Sequence, residues 1–365
     1  MKASVRELNG RQTQDEATKL AALLDLARDH AAAFRNREGL QAAREALNLA
    51  RRRHDSFAEG RALGFATLCH FQRSDHVAAV ATGLDAIDVN PADALGRSRA
   101  LQTVALALTS LEAYDHALPM AQKAVAEAIE SEDAEREALS RAVLGMILTE
   151  IGQFEAARRQ FRSAAQHHRT AADVIRLKKV TANLGHTYRK QGAAEERAGH
   201  ASQARLYWTQ ALRIYRLAFG AARHDAEDAI VLGSIAECEC RVGKVDAAYA
   251  DVEHGLMLAR KTDNAAVIAN CHLWEGHILE AMKEHDDAER AFERACEAAG
   301  SLEPSKIQAS ALHALAALVA ARGHSARAAE IEARGHKAAE ERIEHLAQIR
   351  AQLGSLWNRL VDFHA

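Results

Sequence analysis

The stretch RLKKVTANLGHTYRK, residues 176–190, concentrates the side chains of this sequence that are best suited to binding a negatively charged group. It carries five lysine or arginine residues, one histidine and no carboxylate, although the 365-residue chain has a formal net charge of −3. Lysine and arginine donate charge-assisted hydrogen bonds to carboxylates and phosphates. The stretch therefore predicts either an anion-binding surface or the solvated polar face of a helix, and the fold decides between them.

Side chains that could bind a metal or attack a substrate lack the spacing that either role needs. Cys238 and Cys240 would point to different faces of a helix, and His272 and His277 are five residues apart, which is also a poor chelating distance. No serine, cysteine or threonine lies in a recognisable nucleophile turn, and no glycine-rich phosphate loop occurs. We expect no metal, no cofactor and no catalytic residue, and hence a protein that is not an enzyme.

Composition narrows the class of protein further. Hydrophobic residues make up 48% of the chain, but aromatic residues only 5%, and there are 3 prolines. Much of the apolar content is alanine, which favours closely packed helices. The near-neutral charge argues against nucleic-acid binding, no apolar stretch approaches the roughly 20 residues of a membrane span, and the N-terminus lacks a secretory signal. We expect a cytoplasmic protein that binds neither nucleic acid nor membranes.

Small residues recur along the chain at four fixed offsets. The pattern is clearest in residues 144–164 and 315–335, where the small residues are Gly145, Gly152, Ala157 and Ala164, and Ala316, Gly323, Ala328 and Gly335. The first offset recurs eight times, mostly in steps of 39 or 40 residues, at Ala31, Ala66, Ala105, Gly145, Gly185, Ala236, Gly276 and Ala316. Small residues let two helices pack closely, and glycine at the second offset suits the turn between them. The sequence predicts about eight helix hairpins.

One repeat is longer than the others. Gly185 and Ala204 are 19 positions apart, where the corresponding residues of other repeats are 12 apart, and the surplus is close to AAEERAG. Seven residues are two helical turns, so the helical phase is nearly kept. We expect the first helix of this repeat to extend beyond its neighbours.

The offsets resemble those of tetratricopeptide repeats over residues 16–335, with a period near 40 instead of about 34. The long period is similar to that of tetratricopeptide sensor modules of bacterial regulators. The resemblance implies an all-α, right-handed α-α superhelix that binds a protein or peptide, acidic ones included, in its concave groove. We expect a flexible tail at 1–15, the superhelix at 16–335 and a C-terminal helix at 336–365.

The resemblance also implies which residues face the groove, because the first helix of each repeat lines it. Counting from the first small residue of each repeat gives these partner-binding positions: Arg99, Gln102, Met146, Lys179, His186, Arg189, Lys190, Asn270 and His277. Asn183 and Trp274 lie beside them and are included as partner-binding residues. The basic stretch 176–190 thus supplies five of these eleven residues. The alternative, an ordinary solvated helix face, remains open at this point.

The C-terminal 30 residues form an amphipathic pattern. Apolar residues at 343, 346, 349, 353, 356 and 360 alternate steps of three and four, which predicts a helix that either caps the last repeat or dimerises. Residues 351–360, AQLGSLWNRL, resemble the opening motif of bacterial diguanylate cyclase domains at Leu353, Leu356, Asn358 and Arg359. No cyclase activity follows, since the sequence stops where a catalytic domain would begin.

We therefore expect a non-catalytic module that binds a protein or peptide in a bacterial signalling or regulatory system. Two alternatives remain. One is a regulator that senses a small ligand or a signal peptide, and the other is a structural scaffold that acts through homodimerisation of the C-terminal helix.

Overall fold

The computed structural model describes residues 2–89, 91–219, 225–262 and 264–361, with side chains from Gln14 onward. This part of the chain consists of seventeen α-helices and contains no β-strand. Two compact units divide it, one made of residues 1–151 and 349–365 and the other of residues 152–348. We call them unit 1 and unit 2.

Sixteen of the helices follow one another as eight pairs. Unit 1 begins with three pairs, namely α1 (Lys2–Ala32) with α2 (Asn36–Arg52), α3 (Ser56–Gln72) with α4 (His76–Val89), and α5 (Ala94–Ser110) with α6 (Tyr114–Glu130). The fourth repeat contains the unit boundary, since α7 (Ala134–Glu150) is the last helix of the first segment of unit 1 and α8 (Phe154–Thr170) is the first helix of unit 2. Unit 2 continues with α9 (Val174–Arg197), α10 (Ala201–Phe219), α11 (Asp225–Arg241), α12 (Val245–Ala259), α13 (Ala265–Ala281), α14 (His285–Gly300) and α15 (Lys306–Ala321). The last pair is completed by α16 (Ser325–Gln352), and α17 (Leu356–Val361) follows.

The expected all-α array of helix hairpins is confirmed. All eight first-offset positions fall in the first helix of a pair, from Ala31 in α1 to Ala316 in α15. The first helix of the long repeat, α9, has 24 residues, whereas α7 and α11 have 17 each. The surplus therefore lengthens α9 by seven residues, as the sequence predicts.

Short polar signals start and end these helices. Four first helices begin after an aspartate whose carboxylate accepts a hydrogen bond from the backbone N–H three residues further on. That N–H has no partner within the helix, so the aspartate caps the helix. The four aspartates are Asp55, Asp93, Asp133 and Asp173. The turns within pairs pass through positive φ at Gly152, Gly243 and Gly323, with values of 80°, 88° and 85°. Glu112 and Lys283 adopt the same left-handed conformation at the equivalent position, with φ of 55° and 67°. The turn is thus kept where the glycine is missing.

Close approach within a pair depends on the small residues. A Cβ atom at Gly185 of α9 would lie 2.9 Å from the ring of Tyr215 on α10, and one at Gly276 of α13 would overlap the ring of Phe292 on α14. Both rings are buried. A larger side chain at either glycine would push the two helices of the pair apart.

First helices of successive pairs also contact one another. In unit 1, α1, α3, α5 and α7 form one such row, and in unit 2 the row is α9, α11, α13 and α15. Among the described residues, the second helices of successive pairs share no comparable contact. First helices therefore form the tighter of two layers, as in a solenoid whose first helices line its inner side.

The C-terminal residues do not form one continuous helix. α16 runs unbroken from Ser325 across residue 336, the start of the predicted C-terminal helix, and ends at Gln352. Gly354 has φ of 45°, and α17 follows it. A glycine inside the amphipathic pattern is a recognised break signal, so the single helix predicted for 336–365 was wrong on this point. The division of the chain at residues 15 and 335 stays a prediction.

Residues from 349 onward belong to unit 1. The Arg350 guanidinium donates to the carbonyl of Leu111 at 2.6 Å, and Arg359 forms ion pairs of 2.9 and 2.7 Å with Asp85 and Asp88. Leu353 and Leu360 are buried there. Two of the apolar residues of the C-terminal pattern are thus covered by the chain itself.

The glycine contacts lead to a prediction about stability. Replacement of Gly276 by alanine should lower the free energy of unfolding by about 1–3 kcal/mol, because the new methyl group overlaps the buried Phe292 ring. Denaturant unfolding followed by circular dichroism measures the change.

Gly64→Ala is the matched control. Gly64 lies within α3 and a Cβ there meets no atom within 4 Å, so alanine should stabilise the helix by about 0.5–1 kcal/mol. Equal denaturant midpoints for Gly276→Ala and Gly64→Ala would contradict the role of Gly276 in close helix packing.

Candidate functional site

The basic stretch lies on α9 and meets carboxylates of α11, the next first helix of unit 2. The Lys179 ammonium lies 2.9 Å from the Glu227 carboxylate. Arg189, almost three turns further along α9, donates to Glu237 at 2.7 Å. Beyond it, Glu196 of α9 pairs with Arg241 of α11 at 3.0 Å. Ion pairs therefore link the two helices along most of their length.

The innermost of these pairs is buried. Lys178 and Asp228 form an ion pair with a charge-assisted hydrogen bond, and their side chains are only 2% and 6% exposed. A buried charge is costly unless it is paired, so each of these residues requires the other. The sequence did not reveal this role, because the two residues are 50 positions apart and only the stacking of α9 on α11 brings them together.

Arg189 is held on two sides. One guanidinium nitrogen donates to Glu237, and the other lies 3.2 Å from Nδ1 of His186. Burial acts to lower the pKa of Arg189, but the charge and hydrogen bond of Glu237, together with interactions with Tyr215 and Cys238, outweigh it and raise that pKa above its usual value. Burial likewise acts to raise the pKa of Glu237, and Arg189 lowers it below its usual value. Both groups are therefore charged at neutral pH.

These contacts change how the basic stretch is understood. Lys178, Lys179 and Arg189 each face a carboxylate of α11, so their charges are largely balanced inside unit 2. The stretch is neither an uncompensated positive surface nor a merely solvated face, because its cations join two repeats. Whether Lys179, His186, Arg189 or Lys190 also contacts a partner stays a prediction.

Asn183 differs from the cations around it. It lies on α9 between Lys179 and His186 and is half-buried. Among the described residues its side-chain amide makes no hydrogen bond. An amide of this kind can donate and accept at the same time, which is what a peptide group requires.

The three predicted residues of α13 have different surroundings. Trp274 packs across Gly233 of α11, where a Cβ atom would overlap its indole ring, so it joins two first helices. The Asn270 amide donates to the carbonyl of Ala266 in its own helix at 3.0 Å. His277 is exposed at 47%, with Nδ1 at 3.7 Å from Glu280. Trp274 thus contributes to packing, and His277 is the most accessible of the three.

The remaining predicted residues belong to unit 1. Arg99 on α5 is exposed, and Gln102 one turn on accepts a 2.7 Å hydrogen bond from Arg136 of α7. Met146 on α7 is 36% exposed. The predicted groove positions thus fall into one group in each unit.

Three cysteines of unit 2 are not activated for metal binding or nucleophilic attack. Burial raises the pKa of Cys271 to about 12 and that of Cys296 to about 11. It also raises the pKa of Cys238. These thiols are therefore protonated at neutral pH, and a protonated thiol is a poor nucleophile. His272 is likewise engaged, since its Nδ1 lies 2.8 Å from the Glu275 carboxylate.

Comparison with known proteins agrees with the repeat architecture. The sequence model of the tetratricopeptide repeat family matches residues 269–301, which span most of α13 and all of α14. No curated protein sequence matches the chain. The resemblance of residues 351–360 to diguanylate cyclase domains finds no support in these comparisons. Within the described residues, no helix combines the length and the apolar character that a membrane crossing requires.

Solved structures share the fold at low sequence identity. The apo form of the quorum sensor NprR from B. thuringiensis is 15% identical, with a TM-score of 0.63 over 92% of each chain. The Rap conjugation gene regulator of plasmid pLS20, in complex with the Phr* peptide, is 15% identical, with a TM-score of 0.60 over 92% of this chain and 98% of that one. A Rap protein complexed with competence and sporulation factor is 16% identical, with a TM-score of 0.51 over 87% and 99%. Likeness at this identity shows the fold.

The Arg189–Glu237 pair leads to a prediction about pH. Glu237→Gln should lower the free energy of unfolding by about 1–3 kcal/mol at neutral pH, since it leaves a largely buried guanidinium without its counter-charge. The pKa of Glu237 is lowered by folding, so its contribution is complete above the ordinary glutamate pKa and is lost as pH falls through the folded value. Urea unfolding across an acid pH series measures both effects.

The control for this prediction is Glu303→Gln. Glu303 is 84% exposed and lies 3.6 Å from His345, and an exposed pair of this kind contributes about 0–1 kcal/mol. The free energies of unfolding of wild type and Glu237→Gln should converge at acid pH. If their difference stayed constant down to strongly acid pH, the charge of Glu237 would not be what stabilises the fold.

Proposed function

We propose that the protein is a cytoplasmic, non-catalytic regulatory module that binds an extended peptide, or such a segment of a protein, along the first helices of unit 2. Two of the similar structures are described as complexes with a peptide or a factor, and a third as a quorum sensor. The row of first helices α9, α11, α13 and α15 supplies a continuous surface for a ligand of this shape. A bacterial signalling system is the setting that these similarities favour.

The proposal rests on the hydrogen bonding of the Asn183 side-chain amide. Lys179 and Arg189 of α9 are already paired with carboxylates of α11, whereas the side-chain amide of Asn183 makes no hydrogen bond among the described residues. A primary amide can pair with the N–H and C=O of a peptide group at once, independently of the peptide's sequence. Asn183 is therefore the residue best placed to bind the backbone of an extended peptide.

Charge recognition is the finer part of the proposal. Lys179 pairs with Glu227 but its side chain is still 54% exposed, so it can reach a second carboxylate from solvent. Arg189 is only 23% exposed and shares its nitrogens between Glu237 and His186, so it is less available. A preference for acidic peptides would thus depend on Lys179 more than on Arg189.

The scaffold alternative has less support. Homodimerisation through the C-terminal pattern would use its apolar seam, but Leu353 and Leu360 of that seam are buried within unit 1. Ile343 is the exposed member, at 63%. A single exposed isoleucine is ordinary on a protein surface and does not define an interface.

The proposal predicts the effect of removing the free amide. A peptide selected from a phage-displayed library on the full-length chain, and measured by isothermal titration calorimetry, should bind Asn183→Ala roughly tenfold more weakly, which corresponds to about 1.4 kcal/mol. The melting temperature should stay unchanged, since Asn183 makes no side-chain hydrogen bond within the described residues. Lys179→Ala should weaken acidic peptides while leaving neutral ones unaffected.

Gln203→Ala serves as the matched control, because Gln203 presents an exposed amide on α10, a second helix of unit 2. Binding that is lost equally in both variants, or in neither, would rule out the first-helix face around Asn183 as the peptide site.

A further inference from the structure

Three possible metal ligands meet where α16 folds back on α15. Nδ1 of His313 on α15 lies 3.0 Å from Oε1 of Glu332 on α16, and Nε2 of His336 lies 3.4 Å from the same oxygen. The three ligand atoms all lie within 4.8 Å of one another. No other group of three histidine, cysteine, aspartate or glutamate residues in the described part of the chain meets this criterion.

We propose that His313, Glu332 and His336 bind a divalent first-row transition-metal ion, such as Zn²⁺, that ties α16 to α15. Two imidazoles and one carboxylate form a ligand set of the kind found in zinc sites that keep one coordination position for water. Imidazole nitrogen suits Zn²⁺, Ni²⁺ and Co²⁺, whereas Mg²⁺ and Ca²⁺ prefer all-oxygen sets. The ligand chemistry therefore selects the class of ion.

Two of the three separations between the ligand atoms fit this coordination, and the third is no more than 4.8 Å. Zinc bonds to nitrogen and oxygen of about 2.0–2.1 Å at tetrahedral angles put neighbouring ligand atoms about 3.3 Å apart. The two nitrogen–oxygen distances, 3.0 and 3.4 Å, bracket this value. An ion can thus be bound by small rotations of the three side chains.

The backbone supports the same arrangement. Glu332 and His336 are four residues apart on α16, so their side chains lie on one helix face and can chelate together. Gly335 lies between them in sequence, and a Cβ atom there would come within 2.9 Å of the His313 ring. The absence of a side chain at 335 is what lets the His313 imidazole approach α16.

The site is accessible to an ion from solvent. The side chains of His313, Glu332 and His336 are 37%, 43% and 67% exposed. The set leaves at least one coordination position to water, so we expect exchangeable binding and not a permanently enclosed structural ion. The site lies within the pair of α15 and α16, at the opposite end of the row of first helices from Asn183 on α9.

Metal titration of the full-length chain, without a histidine tag and after treatment with a chelator, tests the proposal. Calorimetry with Zn²⁺ should show one site of higher affinity above the background of the chain's 19 histidines. The double variant His313→Ala/His336→Ala should lose that site, with an affinity roughly tenfold or more lower. Co²⁺ should give the visible absorption of four-coordinate cobalt in wild type and not in the variant.

His200→Ala is the matched control, because His200 lies 2.8 Å from Glu195, is 60% exposed and belongs to no group of three possible ligands in the described part of the chain. It should bind Zn²⁺ as wild type does. Zn²⁺ should also raise the melting temperature of wild type more than that of the double variant, whose fold is checked by circular dichroism. Identical Zn²⁺ isotherms for wild type and the double variant, or cobalt bands that survive in the variant, would overturn the proposal.

Discussion

The helix pairs of unit 2 depend on one packing constraint, because in three of them one helix has a glycine where the other presents a ring. Tyr215 packs over Gly185, Phe292 over Gly276 and His313 over Gly335. Because protein interiors are close-packed, the ring and the missing Cβ fix the distance between the two helices. The aspartate caps and the left-handed turns set where each helix begins and ends, but the ring–glycine contact sets how the pair closes.

Pairs join one another by different means along unit 2. Trp274 of α13 packs on Gly233 of α11, so that junction repeats the ring-on-glycine contact between first helices. The junction of α9 with α11 is made largely of ion pairs, with Lys178–Asp228 buried at its core. Apolar contact supplies most of the stability of such arrays, whereas paired charges tolerate only one register. The junction of α11 with α13 therefore contributes mainly to stability, whereas the junction of α9 with α11 mainly fixes the register of the two helices.

The sequence predicted what depends on local spacing. The eight pairs and the extra length of α9 follow from residues within one repeat. The turns at Glu112 and Lys283 adopt the same left-handed conformation although glycine is replaced there. Long-range ion pairs could not be read in the same way. Nothing in residues 176–190 indicates that Asp228 will lie beside Lys178, because that contact requires the register of α9 on α11. The end of α16 could have been predicted from the sequence, since Gly354 interrupts the amphipathic pattern there.

The same limit explains why the candidate sites were only partly foreseen. The predicted groove face of the first helices included Asn183, Arg189 and Trp274 alike, yet their contacts give them three different roles. What separates them is whether a neighbouring repeat already satisfies the side chain, and that is a property of pairs of repeats. His313 and His336 belong to one repeat, and they meet because the turn between α15 and α16 brings the two helices together. In a stacked array, then, a single repeat reveals which residues face the surface, and the adjoining helix determines which of them remain available to bind.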